Sequence, residues 1–375
     1  MRIFVNATAA DIGGLKTIVD QFLIHIKSYD KENRYYVFVS NDKFSDFHSE
    51  HIQIIKVDRK KWIKRFIWDA RGMERWSKTT GIFPDKIISL QNTPVRFKGV
   101  SQFVYLHTPI PFVPYDWSLF NPIERKMWFY RNIYPFFIKV FLDEKCKIIV
   151  QAEWLKSGFL RRFTNVGKEQ VIVVRPDVNV GKSDDLQGEK IVLERGDNPL
   201  IFFYPAIDYI YKNHLTLLRA LSIIKDRNKA FADRVKVIFT LDKESWVYRE
   251  AKKLNVEDML ILTGNIPFNK VLEYYKQTDA VLFPSYIETF GLPLLEAAYL
   301  GKPILCAEEE YAKEVLPTYE GVAFLRSLDE ESWARAILEF KKREVKPQQI
   351  LITERNGWGE FLSVVMEKKV VSYEN

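Results

Sequence analysis

The chain has 375 residues, 47% hydrophobic and 28% charged, with a net charge of +7. That length exceeds what one hydrophobic core usually serves and predicts two domains of a soluble globular protein. No run of about 18 apolar residues occurs, so no transmembrane helix is expected, and neither a low-complexity tract nor a repeat at solenoid spacing is present.

Met1–Asn6 reads as a strand, without the basic region, apolar core and cleavage site of a signal peptide. Cys146 and Cys306 lie too far apart in sequence for metal-ligand spacing or a disulfide framework. They read as plain core residues, and their use suits a reducing cytoplasm. Charge is unevenly placed: residues 1–190 hold 31 basic and 21 acidic residues, and residues 191–375 hold 25 and 28. A basic half beside a slightly acidic half points to domains with different partners, among them anionic membrane or phosphate-bearing substrates. With no paired aromatic RNP runs and no Cys/His fingers, nucleic acid ranks last.

In chain order, apolar runs rich in Val, Ile and Phe predict strands at Ile3–Ala7, Tyr35–Val39, Ile52–Val57, Lys86–Leu90, Phe103–His107, Ile148–Gln151 and Val171–Val174. A second series follows at Leu200–Pro205, Val235–Leu241, Leu260–Thr263, Ala280–Pro284, Ile304–Ala307 and Val322–Leu325. Amphipathic stretches separate them, with helices predicted at Asn213–Arg227, Glu244–Leu254 and Asn269–Lys276. Continuously apolar strands alternating with helices imply parallel sheets covered on both faces, and two such series imply two doubly wound α/β domains. Asp177–Pro199, rich in glycine and charge, reads as the linker. The expected division is 1–178 and 196–355. Trp358, Phe361, Leu362 and Val365 have helical spacing, so 356–375 is expected to carry a last helix that packs back on the first domain.

Residues 56–78 hold nine Lys or Arg against three acidic residues, interleaved with Trp62, Phe66, Ile67, Trp68 and Trp76. Two readings fit: a helix lying on an anionic membrane surface, or an amphipathic helix packed on its own sheet with a solvated basic face. The aromatic-rich stretch Phe112–Phe141 reads either as an extension of such a surface, as an acceptor groove, or as core.

The most informative segment is Phe283-Pro-Ser-Tyr-Ile-Glu288-Thr-Phe-Gly291-Leu-Pro293-Leu-Leu-Glu296-Ala-Ala-Tyr-Leu-Gly301-Lys-Pro303. It predicts a strand ending at Pro284, a ligand-facing loop at the strand's carboxyl end, and a helix with Pro293 in its first turn and Gly301 as its stop. Backbone N–H groups near Thr289, Phe290, Gly291 and Leu292 would meet the positive end of that helix, a natural seat for a diphosphate. Glu296, expected on the first turn, would accept two ribose hydroxyls, and Glu288, before the turn, would face a sugar.

This segment resembles the E-x7-E signature of the retaining GT-B glycosyltransferases of family 4. That resemblance implies two Rossmann-like, doubly wound domains facing a central cleft, with Glu288 on the donor sugar and Glu296 on the ribose. Three further segments are similar to that family. Gly13-Gly14 resembles its N-terminal glycine loop, a plain turn being the other reading. Lys212, in Tyr211-Lys212-Asn213-His214, resembles its lysine for the leaving diphosphate. His107 resembles a histidine that touches the donor sugar, and Gln91 and Asn92 end the preceding strand, where the acceptor side is expected. The family usually has an arginine six residues before its lysine; Ala206 stands there, so that cation is missing or comes from elsewhere.

The resemblance implies a hexosyltransferase that uses a nucleoside-diphosphate sugar and needs neither metal nor cofactor; no Asp-x-Asp motif is evident. Its acceptor would be a saccharide or lipid-linked saccharide of surface polysaccharide (O-antigen, capsule or lipopolysaccharide) biosynthesis. The expected location is cytoplasmic, peripheral at the inner face of the membrane. The competing readings are a catalytically inert nucleotide-sugar-binding subunit, suggested by Ala206, and another GT-B enzyme such as a phosphorylase or a sugar-nucleotide epimerase.

Overall fold

The computed structural model describes residues 1–11, 14–58, 62–178, 199–340, 350 and 356–367. Contacts divide the chain into two units, Met1–Asp177 with Arg355–Asn375, and Val178–Glu354. The stretch read as a linker falls mostly in 179–198, outside the described residues.

The first unit is built on β1 (Arg2–Asn6), β2 (Arg34–Val39), β3 (Ile52–Lys56), β4 (Lys86–Ser89), β5 (Ser101–Leu106), β6 (Cys146–Val150) and β7 (Val171–Val173), in the order β3-β2-β1-β4-β5-β6-β7. Every pairing is parallel. The helices are α1 (Gly14–Tyr29), α2 (Trp62–Ile67), α3 (Met73–Thr80), α4 (Arg125–Asn132), α5 (Tyr134–Lys139) and α6 (Glu153–Arg162). Because side chains alternate along a strand, β1 feeds two cores. Ile3 and Val5 pack with Val19, Phe22 and Ile26 of α1. Phe4 packs on the other face with Phe38, Trp68 and Met73.

The second unit holds β8 (Leu200–Tyr204), β9 (Val235–Phe239), β10 (Leu260–Leu262), β11 (Ala280–Phe283), β12 (Ile304–Ala307) and β13 (Val322–Leu325), ordered β10-β9-β8-β11-β12-β13 and again parallel. Around it lie α7 (His214–Arg227), α8 (Lys229–Ala232), α9 (Trp246–Lys253), α10 (Phe268–Gln277), α11 (Leu292–Tyr299), α12 (Glu310–Val315) and α13 (Glu330–Leu338). The last helix, α14 (Gly357–Val365), belongs to the first unit, where Phe361, Leu362 and Val365 join the core around Phe22. It ends at Val365, and 368–375 lie outside the described residues.

Each predicted strand is present, with ends shifted by at most two residues, as ladder hydrogen bonds rather than apolar runs define them. Cys146 and Cys306 are buried free thiols. The basic stretch 56–78 departs from the expected single helix. Helix α2 stops at Ile67, a π-helical turn spans Trp68–Gly72, and α3 follows. The extra residue of that turn rotates the helix and drives Trp68 into the core, its ring centroid 5.1 Å from that of Phe38. Trp76 packs on Phe38 as well, at 5.0 Å. Of the aromatic residues assigned to a membrane face, Trp68 is therefore core and the half-buried Trp76 packs against that core, and 59–61 lie outside the described residues. No helix among the described residues is long and apolar enough to cross a membrane.

Candidate functional site

In both sheets the strand order reverses beside the first strand, between β1 and β4 and between β8 and β11. The loops leaving the carboxyl ends of such strands diverge there and leave room for a ligand. The strongest cluster of chemical groups in the second unit is built from the loops that follow β8 and β11.

After β8, the chain makes a short 3-10 turn at Ile210–Lys212 and places Asn213 in the left-handed region, φ 59°, before α7 begins. Asparagine tolerates that backbone better than most residues. Its side chain also ties three segments together. Asn213 Nδ2 donates to the carbonyls of Pro284, at 3.1 Å, and Ser327, at 2.5 Å, while Oδ1 accepts from Thr216 Oγ1 at 2.8 Å. The Tyr286 amide donates to the Tyr211 carbonyl at 3.1 Å. The two loops are thus held side by side, and Lys212 Nζ meets Glu288 Oε1 at 2.5 Å, an ion pair with both side chains largely buried. Ser285 Oγ also donates to Glu288 Oε1, at 2.8 Å. Asn213→Ala removes three hydrogen bonds and puts a Cβ residue without a polar tip in the left-handed region. The expected cost is about 2–3 kcal/mol, read as a lowered urea midpoint. Asn213→Gly, which accepts the backbone, is expected to recover only part of it.

Thr289, Phe290 and Gly291 complete the loop after β11, and Leu292 is the first residue of α11. Gly291 caps the helix with φ +90°, and a Cβ there would lie 3.2 Å from the Tyr311 ring. Tyr311 is itself held, its hydroxyl donating to the Ser285 carbonyl at 2.6 Å. Only glycine meets both constraints, so the loop can turn tightly into the helix. The leading N–H groups of a helix have no intrahelical acceptor, and here they point back toward the loop that holds Glu288.

Glu296 is the fifth residue of α11, at the start of its second turn and one residue past the first turn on which it was expected, because the helix starts at Leu292. Tyr275 Oη, on α10, lies 3.3 Å from both Glu296 Oε2 and the Pro293 carbonyl and shares its single proton between them. Burial pushes the Glu296 carboxyl up to about 7, against the tyrosine hydrogen bond, which lowers it.

Ala206, at the position of the missing arginine, is buried, and its carbonyl faces Thr240 Oγ1 at 3.5 Å. His214 follows Asn213. Its ring lies 4.8 Å from Tyr204 and 5.0 Å from Phe239, and neither ring nitrogen has a hydrogen-bond partner. Burial first, and the nearby Lys212 charge second, hold it neutral, with a pKa lowered to about 3. Above pH 6.5 His214 is neutral in folded and unfolded chains alike. Below it the unfolded chain gains a proton that the folded chain refuses, and stability is lost down toward pH 3. His214→Phe removes that loss. Its stability advantage over wild type is expected to grow by about 1.4 kcal/mol per pH unit below 6.5, read by denaturant unfolding at several pH values.

The remaining residues named from sequence lie in the first unit. Gly13 lies outside the described residues; Gly14 is exposed at the start of α1, with nothing near its Cβ direction. The His107 ring is neutral, its pKa lowered to about 4 by burial, so Nε2 donates to the Leu90 carbonyl at 3.3 Å. Its backbone N–H donates to Asn92 Oδ1 at 2.7 Å, and Asn92 is left-handed, φ 70°. Gln91 is buried with both ends of its amide engaged: Oε1 accepts from Thr8 Oγ1 and the Ala9 amide, each at 3.0 Å, and Nε2 donates to Asp69. Asp69, on the π-helical turn, is wholly buried and also accepts from Asn6 Nδ2 at 2.8 Å and Thr93 Oγ1 at 3.3 Å. Burial pushes its carboxyl up to about 7 despite these donors. This network at the β1–β4 reversal fixes the loop after β1, and sequence reasoning missed Asp69 because nothing local distinguishes it. Asn213, Tyr275 and Ser285 were missed too; only Asn213, beside Lys212 in the motif, carried a signal.

A chain of two parallel, Rossmann-like sheet units, each reversing beside its first strand, has the GT-B architecture. Solved GT-B structures are similar over most of the chain. WaaG, a glycosyltransferase involved in lipopolysaccharide biosynthesis, matches with a TM-score of 0.60 at 13% identity, covering 90% of this chain and 91% of that one. HepE of Anabaena, in complex with UDP and glucose, matches with a TM-score of 0.60 at 15% identity, covering 90% and 89%. Residues 187–356 match the family model described as Glycosyl transferases group 1. The O-antigen chain mannosyltransferase RfbU of Salmonella typhimurium is 23% identical over 212 residues, 56% of this chain and 55% of RfbU. The chain thus spans about half the length of that relative in the match.

Proposed function

We propose that the protein is a retaining glycosyltransferase that moves a hexosyl-type sugar from a nucleoside-diphosphate sugar to a saccharide or lipid-linked saccharide acceptor. The observation that carries this reading is the Lys212–Glu288 pair at the reversal between β8 and β11, set before the α11 N-terminus with Glu296 farther along that helix. Breaking the bond from sugar to diphosphate develops negative charge on the leaving oxygen. A lysine and a helix N-terminus, both in place before reaction, stabilise that charge without reorganisation. Glu296 accepts the ribose hydroxyls and sets the register of the donor. Glu288, steadied by Ser285, then faces the sugar end. Holding donor and acceptor in reacting geometry supplies the rest of the acceleration.

The reading calls for no metal, since the cation and the dipole serve the diphosphate. The retaining outcome rests on the resemblance of the Glu288–Glu296 segment. Similarity to RfbU and WaaG supports surface polysaccharide assembly as the setting. One observation favours a second reading, an inert nucleotide-sugar-binding subunit: buried Ala206 brings no charge to the phosphate end.

Incubation with UDP-, GDP- and ADP-sugars and crude acceptor lipid separates the two. Consumption of one donor that persists in EDTA, with product of retained anomeric configuration by NMR, is expected. Nucleoside-diphosphate binding without consumption of any donor would select the inert subunit.

A further inference from the structure

The aromatic residues of α2 that remain outside the core pack on neighbouring helices, although Trp62 stays 37% exposed. Trp62 packs edge-on against Phe137 at 4.3 Å and against Phe129 at 5.7 Å, and Phe66 lies 5.2 Å from Phe137 and 5.9 Å from Phe141. These contacts clasp α2 to α4 and α5, so three short helices share one face of the first unit. The clasp leaves other apolar side chains outside. Ile63 is 67% exposed, Ile67 53%, Phe136 60% and Ile133 39%. In the turn leading into α4, Phe120 is 89% exposed and Ile123 59%. Exposed aromatic and branched residues gathered in this way exceed the scattered apolar side chains of an ordinary surface.

The charges of the same helices have one sign. Lys64 and Arg65 on α2, Arg125, Lys126 and Arg131 on α4, and Lys139 on α5 are their ionisable Lys and Arg residues, and the three helices contain no Asp or Glu. Lys64 meets Asp58 at 3.2 Å and Arg131 meets Asp116 at 3.9 Å; Arg125, Lys126 and Lys139 are exposed. Protruding isoleucine and phenylalanine among cations suit an interface that is apolar a few ångströms down and negatively charged at its surface.

We infer that the α2–α4–α5 face is a docking surface for an anionic lipid bilayer, with Ile63, Ile67 and Phe136 entering the headgroup region and Lys126 and Lys139 meeting lipid phosphates. The inference goes beyond the proposed reaction and does not depend on it, since binding is read without donor or turnover. It also replaces the picture of one continuous basic helix over 56–78: the inserted residues come from two separate segments, while Trp62 and Phe66 hold the face together.

The test is co-sedimentation of the full chain with vesicles of phosphatidylcholine alone and of phosphatidylcholine mixed with phosphatidylglycerol. Binding is expected only to the mixed vesicles and to weaken as salt rises. Each charge reversal, Lys126→Glu or Lys139→Glu, is expected to lower partitioning at least about fivefold, from the cation's share of the surface attraction. Ile63→Asp with Phe136→Asp is expected to abolish binding while circular dichroism stays unchanged. Lys229→Glu, the same charge change in the other unit, is the control expected to bind as wild type does. Equal sedimentation with neutral and mixed vesicles, or full binding by the Ile63/Phe136 double variant, would overturn the inference. So would a concentration-dependent dimer that the same double variant dissociates, because the face would then belong to a second copy of the chain.

Discussion

Replacing Lys212 by methionine, or Glu288 by glutamine, is expected to lower donor turnover by about 10²–10³-fold, the usual cost of losing a preorganised group at a developing charge. Lys212→Met keeps the stem and removes the ammonium; Glu288→Gln keeps the shape and the acceptor for Ser285 Oγ but removes the charge. In the structure these residues hold each other at 2.5 Å. Each single variant therefore also releases its partner from the pair. The double variant resolves the ambiguity. If Glu288 serves only to orient Lys212, the double variant will be no slower than Lys212→Met alone. If Glu288 acts on the sugar by itself, the double variant will fall well below either single one. Turnover within a few-fold of wild type in either single variant would remove the pair from the reaction. Because the side chains are largely buried, unfolding curves must accompany the rates: a loss of turnover that follows a loss of folded protein speaks only to stability.

The second large effect is expected at Glu296. Two ribose hydroxyls donating to its carboxylate form charge-assisted hydrogen bonds, so Glu296→Gln should weaken nucleoside-diphosphate binding by about 10–100-fold at pH 8. The carboxyl is held up to about 7 by burial, and ribose donation favours its ionised form. Below pH 7 the wild-type protein must give up a proton on binding, and its advantage over Glu296→Gln should shrink by up to about tenfold per pH unit. The ligand's own terminal phosphate also titrates near pH 6, but equally for both proteins, so the ratio of dissociation constants isolates Glu296. Stability should move the opposite way. A carboxyl whose folded pKa is raised leaves stability intact below its unfolded pKa and removes it as pH rises toward 7. Ligand-free Glu296→Gln should therefore be at least as stable as wild type at pH 8. Calorimetric titration at three pH values checks the affinity, and a pH-independent ratio would place the ribose elsewhere.

The two groups of predictions draw on different layers of information. That Glu288 and Glu296 bracket a strand-loop-helix turn was readable in the segment itself, since Pro284, Gly291 and Pro293 are local conformational signals. That Lys212 sits on Glu288 was not, because 76 residues separate them and the β8–β11 adjacency that joins them follows from strand order. Tyr275, 21 residues before Glu296, carried no signal for the same reason. Asn213 reaches Ser327 across 114 residues.

The same division holds for the whole chain. Apolar runs, their β-branched content and the amphipathic stretches between them determined the number of strands, their parallel habit and the presence of two α/β units, because burial on both faces writes itself into consecutive residues. The tertiary structure decided which strand lies beside which, and so which loops share an end of the sheet. It also decided which way each aromatic residue of 56–78 faces. One residue more than an α-turn at Trp68–Gly72 turns Trp68 into the core and lays Trp76 against it, and the clasp of Trp62 and Phe66 on α4 and α5 leaves the isoleucines outside. Composition reports that a stretch is basic and aromatic. Only packing chooses the face, because a helix with apolar residues on several sides has no preferred side until its neighbours are in place.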